Sequence, residues 1–337
     1  MLYGFIEYVT GNEIFQQEQF MPLLHCILRP ELIAQFNIYL AKYHLLPPFN
    51  HSYQVYSDLI CNIMNMQFRN PIGLAAGFDK DAEAIEGLRK SGFGFIEVGT
   101  VTPLPQKNDS NSVVKFLSRD EGCNRLKADY SFSVHYFGPF SNYLVVNFGI
   151  QAGLETVTDM EVGITSAVNQ IIEINELPPK ILIKIPPDLL ITDLKTAIKI
   201  LLNKQYNING IIISNSITSH PKNLQTVLQE DGFLSGRPLR DLSTDCIRNV
   251  YSLSCGKISI IGCGGISSDQ DAYEKIRAGA SLLQLYSSLL YQEKFPLSIC
   301  LLSGFPITGR IKRELVECLA RNSFRNISET VGADHRK

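Results

Sequence analysis

The sequence lacks several features that mark common functional classes. Its eight cysteines are scattered without a C-x-x-C pair, which favours reduced, mostly buried thiols in an intracellular compartment. It contains no Cys/His spacing typical of zinc sites and no G-x-x-x-x-G-K-[ST] phosphate loop. No basic block stands out, and 31 basic against 33 acidic residues give a net charge of -2. This charge balance argues against a nucleic-acid partner.

Long apolar runs are missing as well. The N-terminal stretch MLYGFIEYVTG is apolar, but it carries Glu7 and is about ten residues long, whereas a membrane-spanning helix needs about 20. Because it has no Arg or Lys, it does not read as a clear transit or secretory peptide. The whole chain is 45% hydrophobic and 19% charged, a composition that suits a soluble globular protein with a large core.

Two helical patterns occupy the N-terminal part, NEIFQQEQFMPLLHCIL and PELIAQFNIYLAKY. The second begins with Pro30, a residue favoured at the first helical position, and the proline pair ending at Pro48 stops it. One stripe of this helix carries apolar and aromatic residues: Leu32, Phe36, Tyr39 and Tyr43. The pattern fits either a helix pair packed on the main domain or a cap whose apolar face meets lipid. We predict a helical cap over 1–48 and a main domain over 49–337.

From residue 70 onward, short apolar runs alternate with helical stretches, which predicts a parallel sheet. Seven runs read as strands buried on both faces, at 70–77, 93–100, 143–147, 181–185, 210–215, 258–265 and 282–287. Helices are predicted from DKDAEAIEGLRKS, TDLKTAIKILLNKQ and DQDAYEKIRAGA. A (β/α) barrel is the leading fold, and a doubly wound open sheet is the alternative.

A complete barrel of this kind has eight strands, so the sequence is one strand short. The gap falls between Thr100 and Tyr143, where the only strand-like piece is VVKF, flanked by polar turn residues. We interpret this piece as part of a surface hairpin. The sequence therefore predicts a β/α barrel with one βα unit missing.

Small and polar residues follow nearly every predicted strand. Because barrel active sites lie at the carboxyl ends of the strands, this pattern indicates a flat polar ligand approached closely by backbone. Lys184 lies within the apolar run ILIKIPPD, and a buried lysine must be paired or functional. It either reaches solvent from the strand end or contacts an anionic or electron-rich ligand, and the polar rim favours the second interpretation.

The stretch ISIIGCGGISSDQDAYEKIRAGASLLQLYSSLL carries a second signal. A glycine-rich turn follows the penultimate strand and precedes a helix, which is where barrels commonly bind phosphate. Glycine-rich turns also occur for purely structural reasons, and the position in the strand order strengthens the phosphate interpretation.

Four longer motifs resemble the quinone-linked dihydroorotate dehydrogenase family: NPIGLAAGFDKDAEAIEGLRKSGFGFIEVGTVTPLPQ, LSGRPLRDLST, IIGCGGISSDQDAYEKIRAGASLLQLYSSL and GADHR. The N-terminal helices, including FMPLL, resemble the membrane-facing cap of that family. The resemblance implies an FMN-holding β/α barrel that oxidises dihydroorotate to orotate in pyrimidine biosynthesis. It also implies ubiquinone as acceptor and, in animals and related lineages, the mitochondrial inner membrane.

The resemblance also implies site residues by position. Lys184 would lie beside the flavin ring, and the glycines and hydroxyls near the last two strands would hold the ribityl and phosphate groups. The implied cofactor-binding residues are Ala75, Ala76, Gly77, Lys80, Gly99, Thr100, Asn147, Lys184, Ser214, Gly236, Gly264, Gly265, Tyr286 and Ser287. The implied substrate-facing residues are Lys80, Asn124, Asn215 and Ser216.

The chain departs from the family at one place. The family strand that resembles YLVVN continues Asn-x-Ser-Ser-Pro-Asn-Thr, and one of these serines is the catalytic base. Here Asn147 is followed by Phe148, Gly149, Ile150 and Gln151, none of which accepts a proton at neutral pH. The family's Asn-Arg-Tyr-Gly-Phe-Asn is also reduced to Asn124-Arg125-Leu-Lys. The sequence therefore offers no catalytic base.

Three interpretations remain open at this stage. The chain is an impaired dihydroorotate-oxidising enzyme, a non-catalytic relative that keeps the barrel and cap as a binding or membrane-associated module, or the product of an incomplete gene model. The interpretation we favour is loss or severe reduction of activity.

Overall fold

The computed structural model describes residues 30–46, 54–99, 114–117, 122–125, 141–147, 161, 165, 179–219, 224, 232–289 and 306–336. The strands are β1 Cys61–Ile63, β2 Met66–Phe68, β3 Ile72–Leu74, β4 Phe95–Ile96, β5 Val114–Leu117, β6 Gly122–Arg125, β7 Tyr143–Asn147, β8 Lys180–Ile185, β9 Ile208–Ile213, β10 Phe233–Gly236, β11 Ser259–Cys263 and β12 Leu282–Leu285. The helices are α1 Pro30–Lys42, α2 Ile85–Arg89, α3 Ile191–Leu201, α4 Arg240–Ser254, α5 Asp269–Ala278, α6 Pro306–Arg321 and α7 Ile327–Thr330.

Seven strands form one sheet in the order β4-β3-β12-β11-β9-β8-β7, and every neighbouring pair is parallel. The last strand, β12, pairs with β3, the first strand of this sheet. In a barrel the last strand pairs with the first, whereas in a doubly wound sheet the last strand lies at an edge. The prediction of a barrel-type sheet with seven strands is therefore confirmed.

β4 and β7 are the two outer strands of this sheet within the described residues, and they do not pair with each other. Among the described residues between them, none adds a strand to this sheet. β5 and β6 pair with each other as an antiparallel hairpin instead, as predicted from VVKF. The hairpin also pairs with β10 in a separate three-stranded sheet, a contact that the local sequence does not indicate.

The core is dominated by isoleucine and leucine on the central strands. The side chains of β9, β11 and β12 are buried almost throughout, as are those of β8 after Lys180. β-branched residues favour extended backbone, and burial of both faces explains why these strands are continuous apolar runs. In β7, at an edge of the sheet, only Val146 is fully buried.

Helix α1 begins at Pro30 and runs to Lys42, as the pattern predicted. It packs on α2, where Gly87 faces the backbone of Ala41 so closely that no Cβ could fit between them. Lys42 and Glu83 add an ion pair at 3.2 Å. Tyr39 and Tyr43 lie on the outer side of α1, 54% and 53% exposed, with ring centroids 4.5 Å apart. The first predicted helix and the side chain of Leu32 lie outside the described residues.

The helix predicted from DKDAEAIEGLRKS is mostly wrong, because only Ile85–Arg89 is helical. Buried Asp79 accepts hydrogen bonds from the backbone N–H groups of Glu83 and Ala84, at 3.0 and 2.9 Å. Ala82 has a φ of 58°, which no helix allows. Asp79 thereby holds the residues between itself and α2 in a loop at the barrel rim. The helices predicted from the two other spacers are confirmed as α3 and α5.

Candidate functional site

The strand ends meet at one rim of the sheet through backbone hydrogen bonds. Ala75 N–H donates to Leu285 O at 3.0 Å, and Gly77 N–H donates to Gly99 O at 2.7 Å. Farther round the sheet, Ser214 N–H donates to Cys263 O at 3.0 Å. The rim therefore brings together the predicted residues that follow β3, β4, β9, β11 and β12.

Five of the predicted site glycines have positive φ, a conformation that L side chains rarely adopt. They are Gly77 at 99°, Gly99 at 103°, Gly236 at 92°, Gly264 at 96° and Gly265 at 71°. A Cβ added at Gly77 would meet only the Tyr286 ring, at 3.7 Å, so the backbone there faces open space. This region has the bare, turned backbone that a closely bound ligand requires.

The turn after β11 is held against the start of α4. A Cβ on Gly265 would lie 2.6 Å from Arg240 Cα, and one on Gly264 would lie 3.0 Å from Ser214 Oγ. Ser243 Oγ donates to Cys263 O at 2.6 Å, which fixes the last residue of β11. Ser235 and Ser287 place their hydroxyls 3.4 Å apart, linking the end of β10 to the end of β12.

The fully buried Lys275 stabilises the turn after β11 through hydrogen bonds to the start of α4. The ammonium of Lys275 donates to Arg240 O at 3.1 Å, to Ser243 Oγ at 3.0 Å and to Thr244 Oγ1 at 2.9 Å. Its three donors thus bind α5 to the first turn of α4. Burial lowers the pKa of Lys275 to about 8, while the nearby acidic groups raise it by less.

The lowered pKa of Lys275 predicts a specific pH dependence of the free energy of unfolding. Because its folded pKa lies below its ordinary value of 10.5, the unfolded chain binds the extra proton, and the free energy of unfolding rises between about pH 8 and 10.5. The expected contribution is about 3 kcal/mol. Lys275→Met should remove this rise. Urea unfolding of both proteins at pH 7.5 and 10 measures it, and a difference between them that does not change with pH would contradict the assignment.

The predicted substrate-facing residues also converge. Asn215 Nδ2 donates to Asn147 Oδ1 at 2.7 Å, and Ser216 N–H donates to Asn215 Oδ1 at 2.9 Å. The next residue, Ile217, forms a β-bridge with Leu234, which also pairs with Asn124 in β6. The backbone therefore brings Asn124 beside the Asn215–Ser216 loop, although the two lie far apart in the sequence.

Lys184 lies inside the barrel and is 7% exposed. Its ammonium lies 3.9 Å from Glu97 Oε1, and Gln284 Nε2 donates to the other carboxylate oxygen of Glu97 at 2.6 Å. The solvent-reaching alternative for Lys184 is therefore wrong, whereas its contact with a ligand stays a prediction. Sequence reasoning missed Glu97 and Gln284, although a charged or amide residue within an apolar strand was the available signal in both cases.

The buried amide of Gln284 has one atom without a partner. Its Oε1 has no hydrogen-bond donor among the described residues. An orphaned acceptor in a protein interior costs free energy unless a ligand or water donates to it. Together with the lysine and the open space at Gly77, it fits a flat ligand with donor groups and partial negative charge.

Three carboxylates described near the rim already have hydrogen-bond or ion-pair partners. Asp79 holds two backbone N–H groups, Glu97 binds Gln284 and Lys184, and Asp188 Oδ2 accepts from Ser219 Oγ at 2.7 Å. Burial raises the pKa of the Cys263 thiol, which keeps it protonated.

Some predicted positions are only partly described. Lys80 is exposed in the loop after β3, at the rim. Thr100 and residues 148–151 lie outside the described residues, as does the side chain of Asn124. Within the described residues, no group of three His, Cys, Asp or Glu could hold a metal, and no helix is long and apolar enough to cross a membrane.

The sequence matches a known protein family. Residues 58–126 and 116–301 match the family model described as dihydroorotate dehydrogenase. The chain belongs to the dihydroorotate dehydrogenase family. A mouse protein named dihydroorotate dehydrogenase (quinone), mitochondrial, is 36% identical over 381 aligned positions, which cover 97% of this chain and 92% of the relative. A Rhodospirillum rubrum protein named dihydroorotate dehydrogenase (quinone) is 33% identical and covers 82% and 84%.

A solved structure shows the same fold. The crystal structure of the dihydroorotate dehydrogenase of Eimeria tenella in complex with ferulenol superposes with a TM-score of 0.80 at 27% identity, covering 92% of this chain and 96% of that one. The mouse alignment of 381 positions is longer than this chain of 337 residues, so the mouse enzyme carries positions without a counterpart here. The chain therefore has the fold of the dihydroorotate dehydrogenase family, but it lacks positions that the mouse relative has.

Proposed function

We propose that this chain is a quinone-linked dihydroorotate dehydrogenase homologue that binds FMN weakly and oxidises dihydroorotate very slowly or not at all. The family and the names of its relatives support the substrate and the quinone. The observation that carries the loss of activity is the absence of a base after Asn147, combined with the engagement of Asp79, Glu97 and Asp188 by other groups.

Two groups of residues would hold FMN. The phosphate end would lie at Gly236, Gly264, Gly265, Tyr286 and Ser287, where turned backbone and hydroxyls converge. Further contacts would come from Ala75, Ala76, Gly77, Lys80, Gly99, Thr100, Asn147, Lys184 and Ser214. FMN, when bound, supplies the acceptor for a hydride. The protein has to orient the substrate, exclude water and remove a proton, and the removal of the proton lacks a residue.

We expect the purified chain to carry well under one FMN per chain. The phosphate end of the site is retained, whereas the sheet beside the ring end is open between β4 and β7. Ser287→Asp should abolish the remaining flavin, because a carboxylate beside the phosphate costs several kcal/mol. Ser281→Asp, at the opposite end of β12, is the matched control and should leave flavin content unchanged. Protein that is isolated with one FMN per chain would contradict weak binding, and equal retention by the two variants would contradict the phosphate site.

The substrate would meet Lys80, Asn124, Asn215 and Ser216. The lysine suits the carboxylate of dihydroorotate as a point charge, and the amide and hydroxyl groups suit its ring polar atoms. Since lysine is a cation at neutral pH, it binds the carboxylate and takes no proton from carbon.

As part of this proposal, the outer face of α1 and the residues that directly follow the helix lie against a membrane surface. Tyr39, Tyr43 and Leu45 are all more than half exposed, and aromatic side chains favour membrane interfaces. We expect the full chain to float with liposomes and Tyr39→Asp/Tyr43→Asp to float less. Leu190→Asp/Ile191→Asp changes an equally exposed apolar pair elsewhere and is the control. If flotation falls equally in both variants, or falls in neither, a specific role of α1 is contradicted. Location at the mitochondrial inner membrane follows the same family reasoning.

An incomplete gene model of an active enzyme is the second candidate. The longer alignment with the mouse relative and the open sheet edge both favour a missing internal segment. Sequencing the transcript across codons 124–150 decides between the two. An exon encoding another strand and the serine motif would make this chain an incomplete version of an active enzyme, and an uninterrupted reading frame would support loss in the protein itself.

A further inference from the structure

Glu97 is the centre of a buried polar cluster in the barrel interior. It follows β4 directly, is 7% exposed, and its N–H donates to Leu74 O at 2.9 Å. One carboxylate oxygen accepts from Gln284 Nε2 at 2.6 Å and from Tyr143 OH at 3.3 Å, and the other lies 3.9 Å from Lys184 Nζ. Groups from β7, β8 and β12 therefore meet at one side chain.

All three neighbours are hydrogen-bond donors. An amide N–H, a phenol and an ammonium satisfy an ionised carboxylate, which accepts only. Burial raises the pKa of Tyr143 well above its ordinary value, and the charge and hydrogen bond of Glu97 raise it further. Tyr143 therefore stays protonated and donates. The cluster is a carboxylate that accepts two hydrogen bonds and forms an ion pair with one cation.

The cluster also spans the open side of the sheet. β4 and β7 share no backbone pairing, yet the Tyr143 hydroxyl reaches Glu97, and the Phe95 and Tyr143 rings meet edge to face with centroids 6.4 Å apart. Side-chain contacts thus join the two edge strands where a complete barrel would have a strand between them. This contact fixes Glu97 relative to β8 and Lys184.

We propose that Glu97 is a positioning residue: it holds the Lys184 ammonium in the barrel interior and offsets its charge, with Tyr143 and Gln284 fixing the carboxylate. The effect on a flavin rests on the proposed function, in which Lys184 lies beside the ring. A cation there favours the reduced, anionic form over the oxidised form. A carboxylate 3.9 Å from that cation weakens this preference.

The first test needs no cofactor. Glu97→Gln and Lys184→Met each leave one buried charge without its partner, so each should lower Tm by about 5–10 °C. The double variant Glu97→Gln/Lys184→Met removes both charges and should recover most of the loss. The control cycle pairs Glu97→Gln with Lys312→Met, a buried lysine whose ammonium donates to Gln54 O at 3.3 Å, and should be additive. Additive losses in the first cycle would overturn the proposal.

The second test separates positioning from a merely structural role. The redox midpoint of bound FMN should rise in Glu97→Gln, because the cation is no longer offset, and fall in Lys184→Met. A tenfold change in the relative affinity for reduced and oxidised flavin corresponds to about 30 mV for a two-electron couple. An unchanged or lower midpoint in Glu97→Gln would overturn the proposal. If the unmodified chain binds no FMN even at high concentration, the proposed function fails, while the cofactor-free cycle still decides whether Glu97 holds Lys184.

Discussion

The FMN-reconstituted chain is expected to oxidise dihydroorotate at least about 10²–10⁴-fold more slowly than an intact quinone-linked relative, because a positioned general base contributes a factor of that size. The segment that should present the base reads Phe148, Gly149, Ile150 and Gln151. Loss of substrate-positioning groups adds to the deficit, since misplacement by about 1 Å can cost a further 10². Steady-state turnover with dihydroorotate and a quinone analogue measures the combined effect.

A pair of loop variants tests the missing base directly. Gly149→Ser/Ile150→Ser restores the serines of the family motif after Asn147, and Gly149→Ala/Ile150→Ala changes the same positions without a hydroxyl. The serine variant should turn over at least about tenfold faster than the alanine variant, while staying below an intact relative. Equal rates would show that loss of the base is not what limits this chain.

Gly265→Ala is expected to be the most destabilising single change at the rim, lowering the free energy of unfolding by about 2–5 kcal/mol. Gly265 has a φ of 71°, and a Cβ there would lie 2.6 Å from Arg240 Cα and 2.7 Å from Arg240 N. Backbone cannot move aside as a side chain can. The turn after β11 would have to separate from the start of α4, and flavin retention should fall with it.

Gly256→Ala is the matched control for this prediction. Its φ of 69° is nearly the same, but the nearest atoms lie on the Tyr251 ring, from 3.0 Å, at the opposite end of α4. It should carry the strain of positive φ, of order 1–2 kcal/mol, and leave flavin retention unchanged. Urea unfolding and flavin content of both variants provide the comparison, and similar losses in the two would show that the Gly265–Arg240 contact does not hold the site.

The strands of the main sheet could be predicted because their signal is local. Runs such as GIIISN and ILIKI are mostly apolar, since both faces of a parallel strand are buried, and the structure places β9 and β8 there. The expectation of one strand fewer than in a complete barrel followed from the same reasoning, because no such run occurs between Thr100 and Tyr143, and the described residues there add no strand to the sheet. Positive φ at Gly264 and Gly265 agrees with their place in a turn directly after a strand.

What sequence reasoning missed depends on contacts between distant residues. Glu97 and Gln284 are 187 positions apart, and no local pattern connects them. The loop after Asp79 has a helical composition, yet one buried carboxylate captures two backbone N–H groups and prevents the helix. The pairing of the β5–β6 hairpin with β10 likewise depends on the three-dimensional path of the chain.

We propose that the residues that hold the flavin are retained in this chain, while the group that removes the substrate proton is not. Anaerobic mixing of the FMN-loaded chain with excess dihydroorotate, followed by flavin absorbance, measures this step without any quinone. We predict that the flavin stays oxidised over minutes with dihydroorotate and bleaches at once with dithionite. Bleaching by dihydroorotate as fast as in an intact relative would contradict the account.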